Sequence, residues 1–81
     1  MTVHPLDVVV LNRDLPAHGL RQGDLGTVVE VYGADAFGTE FVAASGRTQA
    51  LVTLSAADIR PVADDDLVAV RPAQGTDGRD G

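Results

Sequence analysis

Short apolar runs separated by clusters of Gly, Pro, Asn and Asp dominate the chain. Residues 6 to 11 form a nearly continuous β-branched apolar run, too short for a helix and stopped by Asn12, Arg13 and Asp14. They predict a first strand with Asp7 on its solvent side. A long connection follows, with Pro16, Gly19 and Gly23, and with Leu15 and Leu20 as the apolar residues able to tuck beneath it. It predicts an ordered loop holding one helical turn. Gly23-Asp24-Leu25-Gly26 then makes a tight turn into a second strand. Strict alternation there puts Thr27, Val29 and Val31 on one face and Val28, Glu30 and Tyr32 on the other. Val29 and Val31 are thus expected inside and Glu30 in solvent.

The turn-forming run Gly33-Ala34-Asp35-Ala36 reverses the chain into a third strand over residues 37 to 43. A second reversal at residues 44 to 47 uses Gly46, which takes a positive φ at little cost. Residues 48 to 54 are the next arm. Ser55, with Asp58 three positions later, predicts one short helical or 3₁₀ turn. The segment Ile59-Arg60-Pro61-Val62 follows as a short edge strand that tolerates proline. The whole pattern predicts an all-β fold, a small five-stranded SH3-like barrel with one short 3₁₀ turn before the last strand. Residues 1 to 62 would form the barrel and residues 63 to 81 an acidic, partly disordered tail. Its last eight or so residues are expected to lack fixed structure. Within it, Leu67 to Val70 would be a sixth strand or a segment that docks on a partner.

Composition narrows this picture. An 81-residue chain makes one domain that buries only about 60% of the surface its unfolded form exposes. Phe37, Phe41 and Tyr32 are its only aromatics, so the stability margin should be slim and a stable partner or a homodimer would help. Cysteine is absent, which excludes disulfides and thiolate metal sites and suits a reducing, cytoplasmic setting. No segment resembles a signal peptide or approaches the about 20 apolar residues of a membrane span, so no membrane role is expected. The net charge is −6, and a phosphate backbone would be repelled by it, so nucleic acid is not an expected partner. Residues 1 to 62 carry seven acids against four arginines, and residues 63 to 81 five against two. The tail is the more acidic part per residue.

Candidate chemistry is sparse. His4 and His18 are the only histidines, whereas a zinc site needs about four protein ligands, or three plus water. No metal and no cofactor are expected. Ser45 lies in a turn and Ser55 caps a helical turn, so neither is placed for a catalytic triad. Asp35 and Glu40 could share acid and base roles only in a deeper pocket than so small a barrel encloses. The glycines of residues 23 to 26 lack the lysine and following helix of a phosphate loop. Arg47 and Arg60 are expected to pair with Glu40 or Asp58 or to anchor an interface. The chain is thus expected not to be an enzyme.

Five segments carry a family resemblance. They are residues 6 to 11, His18-Gly19-Leu20, the run from Gly23 to Tyr32, the run from Gly46 to Leu54, and Asp58-Ile59-Arg60-Pro61-Val62. They resemble a family of small bacterial proteins known only as a domain of unknown function. The resemblance implies an SH3-like barrel, often encoded as a short stand-alone protein and sometimes beside toxin-like genes, and it carries over no functional residues. More distantly, residues 7 to 32 are similar to the barrel domain of the nitrile hydratase beta subunit, which packs on its alpha partner and holds no metal. The aromatics typical of that barrel are mostly missing here.

The expected function is therefore non-enzymatic binding of another protein, a basic one by charge complementarity, with an antitoxin or immunity role as its most specific form. The expected surface is the loop of residues 13 to 22, including Arg21, together with Tyr32, Phe37 and Arg47. The alternative is an accessory subunit or maturation factor packing on an enzyme. A nucleic-acid-binding small barrel is a third reading, disfavoured by charge and by the absence of lysine.

Overall fold

The computed structural model of the protein describes residues 2 to 73. Five strands form one antiparallel sheet: β1 (Val8–Leu11), β2 (Leu25–Gly33), β3 (Ala36–Val42), β4 (Thr48–Leu54) and β5 (Ile59–Pro61). Their order is β4-β3-β2-β1-β5, so the first four strands run as a meander and β5 returns beside β1. The only helical segments among the described residues are two 3₁₀ turns, Pro16–His18 and Ala56–Asp58. The second links the two edge strands. Leu54 of β4 and Ile59 of β5 enter one core cluster with Val9, Leu11, Leu15, Leu20, Val28, Phe37 and Phe41. The sheet thus curls around a single core, as a small barrel-like fold must when it has no second layer to cover it.

Local sequence explains most of these elements. Pro16 opens the first 3₁₀ turn, and Gly19, in the left-handed region, ends it by donating its N–H to the Pro16 carbonyl. Leu15 and Leu20 flank that turn, bridge to each other and are buried. Gly46 has φ +91° in the β3–β4 turn, where its N–H donates to the Ala43 carbonyl. Ser55 and Asp58 form a reciprocal capping box. Pro61 pairs with Val9 on an edge strand, where its missing N–H costs no ladder bond.

Two expectations need correction. β1 begins at Val8 rather than Leu6, because residues 4 to 7 form a turn. The Asp7 N–H donates to the His4 carbonyl, the His4 N–H donates to Asp7 Oδ2, and Leu6 takes φ +74°. Of the β2 valines the buried one is Val28, fully enclosed, whereas Val29 is 41% exposed and Val31 37% exposed. The pairing explains the difference. Val28 faces Thr39 but Glu30 faces Gly38, so Val29 is the extra residue of a β-bulge. A bulge breaks the period of two. Residues before it keep Gly26 and Val28 inward, and Val31 after it lies opposite Phe37 near the turn that closes the hairpin. Glu30 does meet solvent.

The tail departs from a sixth strand. Residues 63 to 73 have no regular strand, and Leu67 and Val70 are 94% and 98% exposed. The expectation for the last eight residues falls outside the described residues.

The register yields a direct test by denaturant unfolding. Val28→Asp buries an unpaired charge and should cost on the order of 3–5 kcal/mol, whereas Val29→Asp on the bulge should stay within about 1 kcal/mol. Equal losses would overturn the register.

Candidate binding groove beneath the C-terminal strap

β1 is apolar on both faces. Val9 and Leu11 point into the core, while Val10 stands directly opposite Leu25 and Arg60 on the other face. That position would normally meet solvent, yet Val10 is only 4% exposed. The element that crosses this face is the tail. Residues 62 to 73 leave β5 and cross this face, leaving a groove of about 570 Å³ between strap and sheet. Val10, Leu20, Leu25, Phe41 and Val42 supply its apolar surface. Its size falls within the range of ligand pockets.

Two arginine–aspartate clasps hold the strap. At the first, Arg60 donates from Nη1 to Asp66 Oδ2 at 2.8 Å and from Nη2 to Asp66 Oδ1 at 2.9 Å. Asp66 Oδ2 also accepts the Ala63 N–H at 2.7 Å, which closes a turn. The Arg60 guanidinium, and after it the Ala63 N–H, hold the Asp66 carboxyl down at about 2. The same bond raises Arg60 above its ordinary value.

At the second clasp Arg71 reaches back to the loop before β2. Its Nε donates to Asp24 Oδ1 at 3.1 Å and its Nη2 to Asp24 Oδ2, while Nη2 also points at the Gly19 carbonyl at 3.4 Å. Such a fork on a carboxylate is the strong form of an ion pair. Asp24 is held independently, since its Oδ2 accepts the Arg21 N–H at 2.8 Å.

The sequence-predicted residues fare unequally. Arg21 is exposed and adjoins Leu20 at the groove. Arg47 is exposed on the β3–β4 turn, where its carbonyl accepts the N–H of the groove residue Ala43. Tyr32 is exposed but lies at the other end of β2, its ring against Gly38. Phe37 is 3% exposed and belongs to the core, so it offers no surface to a partner. Arg21 and Arg47 thus adjoin groove residues through the backbone without lining the groove, and Tyr32 and Phe37 lie apart from it.

The expected ion pairs also change. Arg60 pairs with Asp66, and Asp58 pairs with Arg13 at 2.7 Å. That hydrogen bond from Arg13 is the largest cause holding the Asp58 carboxyl below its usual range. Glu40 accepts the Thr48 hydroxyl and Asp35 accepts the Ala56 N–H, so both carboxylates serve the fold. Among the described residues no three His, Asp or Glu side chains gather as a metal site, and no helix is long and apolar enough to cross a membrane.

Asp24, Asp66 and Arg71 are parts of the site that local sequence does not mark. In the sequence Asp24 belongs to a turn that accounts for it locally, and Arg71 lies 47 positions from its partner. The available signal was a single arginine after the apolar run 67 to 70, with Pro72 behind it.

A family model described as a domain of unknown function (DUF4926) matches residues 6 to 61. The match takes in all five strands and stops where the strap begins. No curated protein and no solved structure matches the chain.

The first clasp is testable by carboxyl NMR during acid titration. A depressed aspartate contributes stability that is complete above its ordinary 3.8 and lost as pH falls through its folded value. Asp66 should titrate at about 2, with strap signals changing in the same step. A midpoint at 3.8 would mean that the clasp does not persist in solution.

Proposed function

The chain belongs to this domain family of unknown function, and because that membership brings no activity with it, we propose that the protein is a non-enzymatic module that binds another protein. The observation that carries this is the pairing of an apolar groove with an exposed apolar crest on an acidic chain. Leu67, Val68 and Val70 stand largely in solvent on the strap, and the half-exposed Leu25, Val42 and Val62 lie beside the groove. Grouped exposure of this kind marks interaction surfaces rather than ordinary surface. A net charge of −6 favours a basic partner by steering and complementarity. An antitoxin or immunity role toward a basic toxin is the most specific form of the proposal. The sheet order, with β5 returning beside β1 after a 3₁₀ turn, supports reading the fold as SH3-like.

Binding would also serve the domain itself. Its core draws on two phenylalanines and short aliphatic chains, and a ligand that binds only the folded form adds stability by mass action.

The test is affinity capture of the tagged full chain in its native host, with mass spectrometry of what co-purifies at about 0.15 M salt. One stoichiometric basic protein, released as salt rises, is the expected result. An enzyme subunit in its place would indicate the accessory role, and salt-sensitive retention on single-stranded nucleic acid without a protein would overturn the proposal.

A further inference from the structure

The second clasp has the form of a receptor and its ligand. The receptor half is built by the loop of residues 19 to 24, without help from the tail. Gly19 ends the first 3₁₀ turn in the left-handed region, which leaves its carbonyl available. Asp24 closes a turn in which its own N–H donates to the Arg21 carbonyl and its carboxylate accepts the Arg21 N–H. Gly23 permits that turn with φ +97°. Carboxylate and carbonyl thus stand ready to accept from one guanidinium, a geometry that a lysine ammonium cannot match with a planar fork.

The ligand half comes from outside the domain. Gly19 and Asp24 lie within the family match at residues 6 to 61, whereas Arg71 lies beyond it. Arg71 is the only basic residue from 63 to 73. Among the described residues, positions 67 to 70 make no hydrogen bond to the barrel, and Leu67, Val68 and Val70 are largely exposed. The strap is therefore held mainly at its two ends. Its hold on this face is that of a peptide tethered at two points and kept at high effective concentration.

We infer that the Asp24–Gly19 pocket is an arginine-recognition site for an extended segment of a basic partner protein, and that Arg71 occupies it in cis until such a segment displaces the strap. The inference rests on the protein-binding reading and specifies its contact. A partner segment would place an arginine fork on Asp24 and its neighbouring apolar side chains against Val10, Leu25 and Val42. Selectivity follows from competition, since a ligand without arginine would not release the strap.

The test uses the full chain and a labelled peptide of the strap sequence Leu-Val-Ala-Val-Arg-Pro-Ala, corresponding to residues 67 to 73. Binding is read by fluorescence anisotropy and by amide shifts of Gly19, Arg21 and Asp24. Arg71→Ala removes the cis competitor and should tighten peptide binding by about tenfold or more, the factor set by a strap closed about 90% of the time. Adding Asp24→Asn to that variant should abolish the gain, and a peptide with lysine in place of its arginine should bind at least several-fold more weakly. A retained amide spectrum separates these effects from unfolding. If Arg71→Ala binds the peptide no more tightly than the parent chain, or if Asp24→Asn leaves the gain intact, the inference is overturned. The peptide needs no natural partner. Peptide binding without capture of a basic protein would therefore leave the pocket standing and remove only the broader reading, and the reverse result would do the opposite.

Discussion

The fold depends on a close approach at Gly26 in the central strand. A Cβ at that position would sit 2.7 Å from both the Phe41 ring and the Thr39 methyl, closer than such atoms tolerate. The missing side chain lets Phe41 of β3 lie over the β2 backbone, in the space that a larger residue would claim. Val9 stands directly opposite Gly26 on β1, so three strands converge on one point. A core with few aromatics gains most from such interlocking, because packing at native density is what converts short aliphatic chains into stability. Thr39 is enclosed in the same place, its hydroxyl turned to the Phe37 carbonyl at 3.4 Å, which keeps a polar atom satisfied inside an apolar core.

Curling the sheet around that point has a consequence for its outer face. Edge strands β4 and β5 contribute Leu54 and Ile59 to one cluster, and the short 3₁₀ turn with its capping box sets their separation. Asp35 on the first hairpin and Arg13 on the long loop both hold that turn, through the Ala56 N–H and the Asp58 carboxylate. With the inside filled, apolar residues are left over on the outer face of β1 and β2, and Val10 and Leu25 among them line the groove beneath the strap. Val10 is buried and lines the groove beneath the strap, whereas Val8, outside the groove, is half exposed. The strap thus completes the domain at one place and leaves a groove at another. A covering that rests on two ion pairs near the surface is exchangeable, since such pairs are screened by salt and compete with water. The exposed crest at residues 67 to 70 and the acidic character of the chain give the same face both its apolar and its electrostatic appeal to a basic protein.

Much of the architecture was legible from residue type and spacing. Gly19, Gly46 and the Ser55–Asp58 pair act through steric limits and hydrogen bonds that span no more than four or five positions, so they do the same thing wherever the chain goes next. The apolar run at Val8 to Leu11 marked its strand correctly, although nothing in the run said that the tail would cross its second face. The strand arms, the meander and the final edge strand with Pro61 follow from these local signals together with the rule that successive strands pair with their neighbours.

Other features were settled by contacts between distant parts of the chain. The inward face of β2 depends on a bulge at Val29, and that bulge is fixed by how Val28 and Glu30 meet Thr39 and Gly38 on β3. Phe37 became core rather than surface because it lies across from Leu54 on β4. Arg71 meets Asp24 across 47 residues, and Arg60 chose Asp66 over the nearer Asp58, whose carboxylate the loop residue Arg13 had already engaged. Local chemistry therefore determined which segments are strands and turns. The packed chain alone decided which side chains face inward and which charges meet, because both depend on atoms that sequence spacing does not bring together.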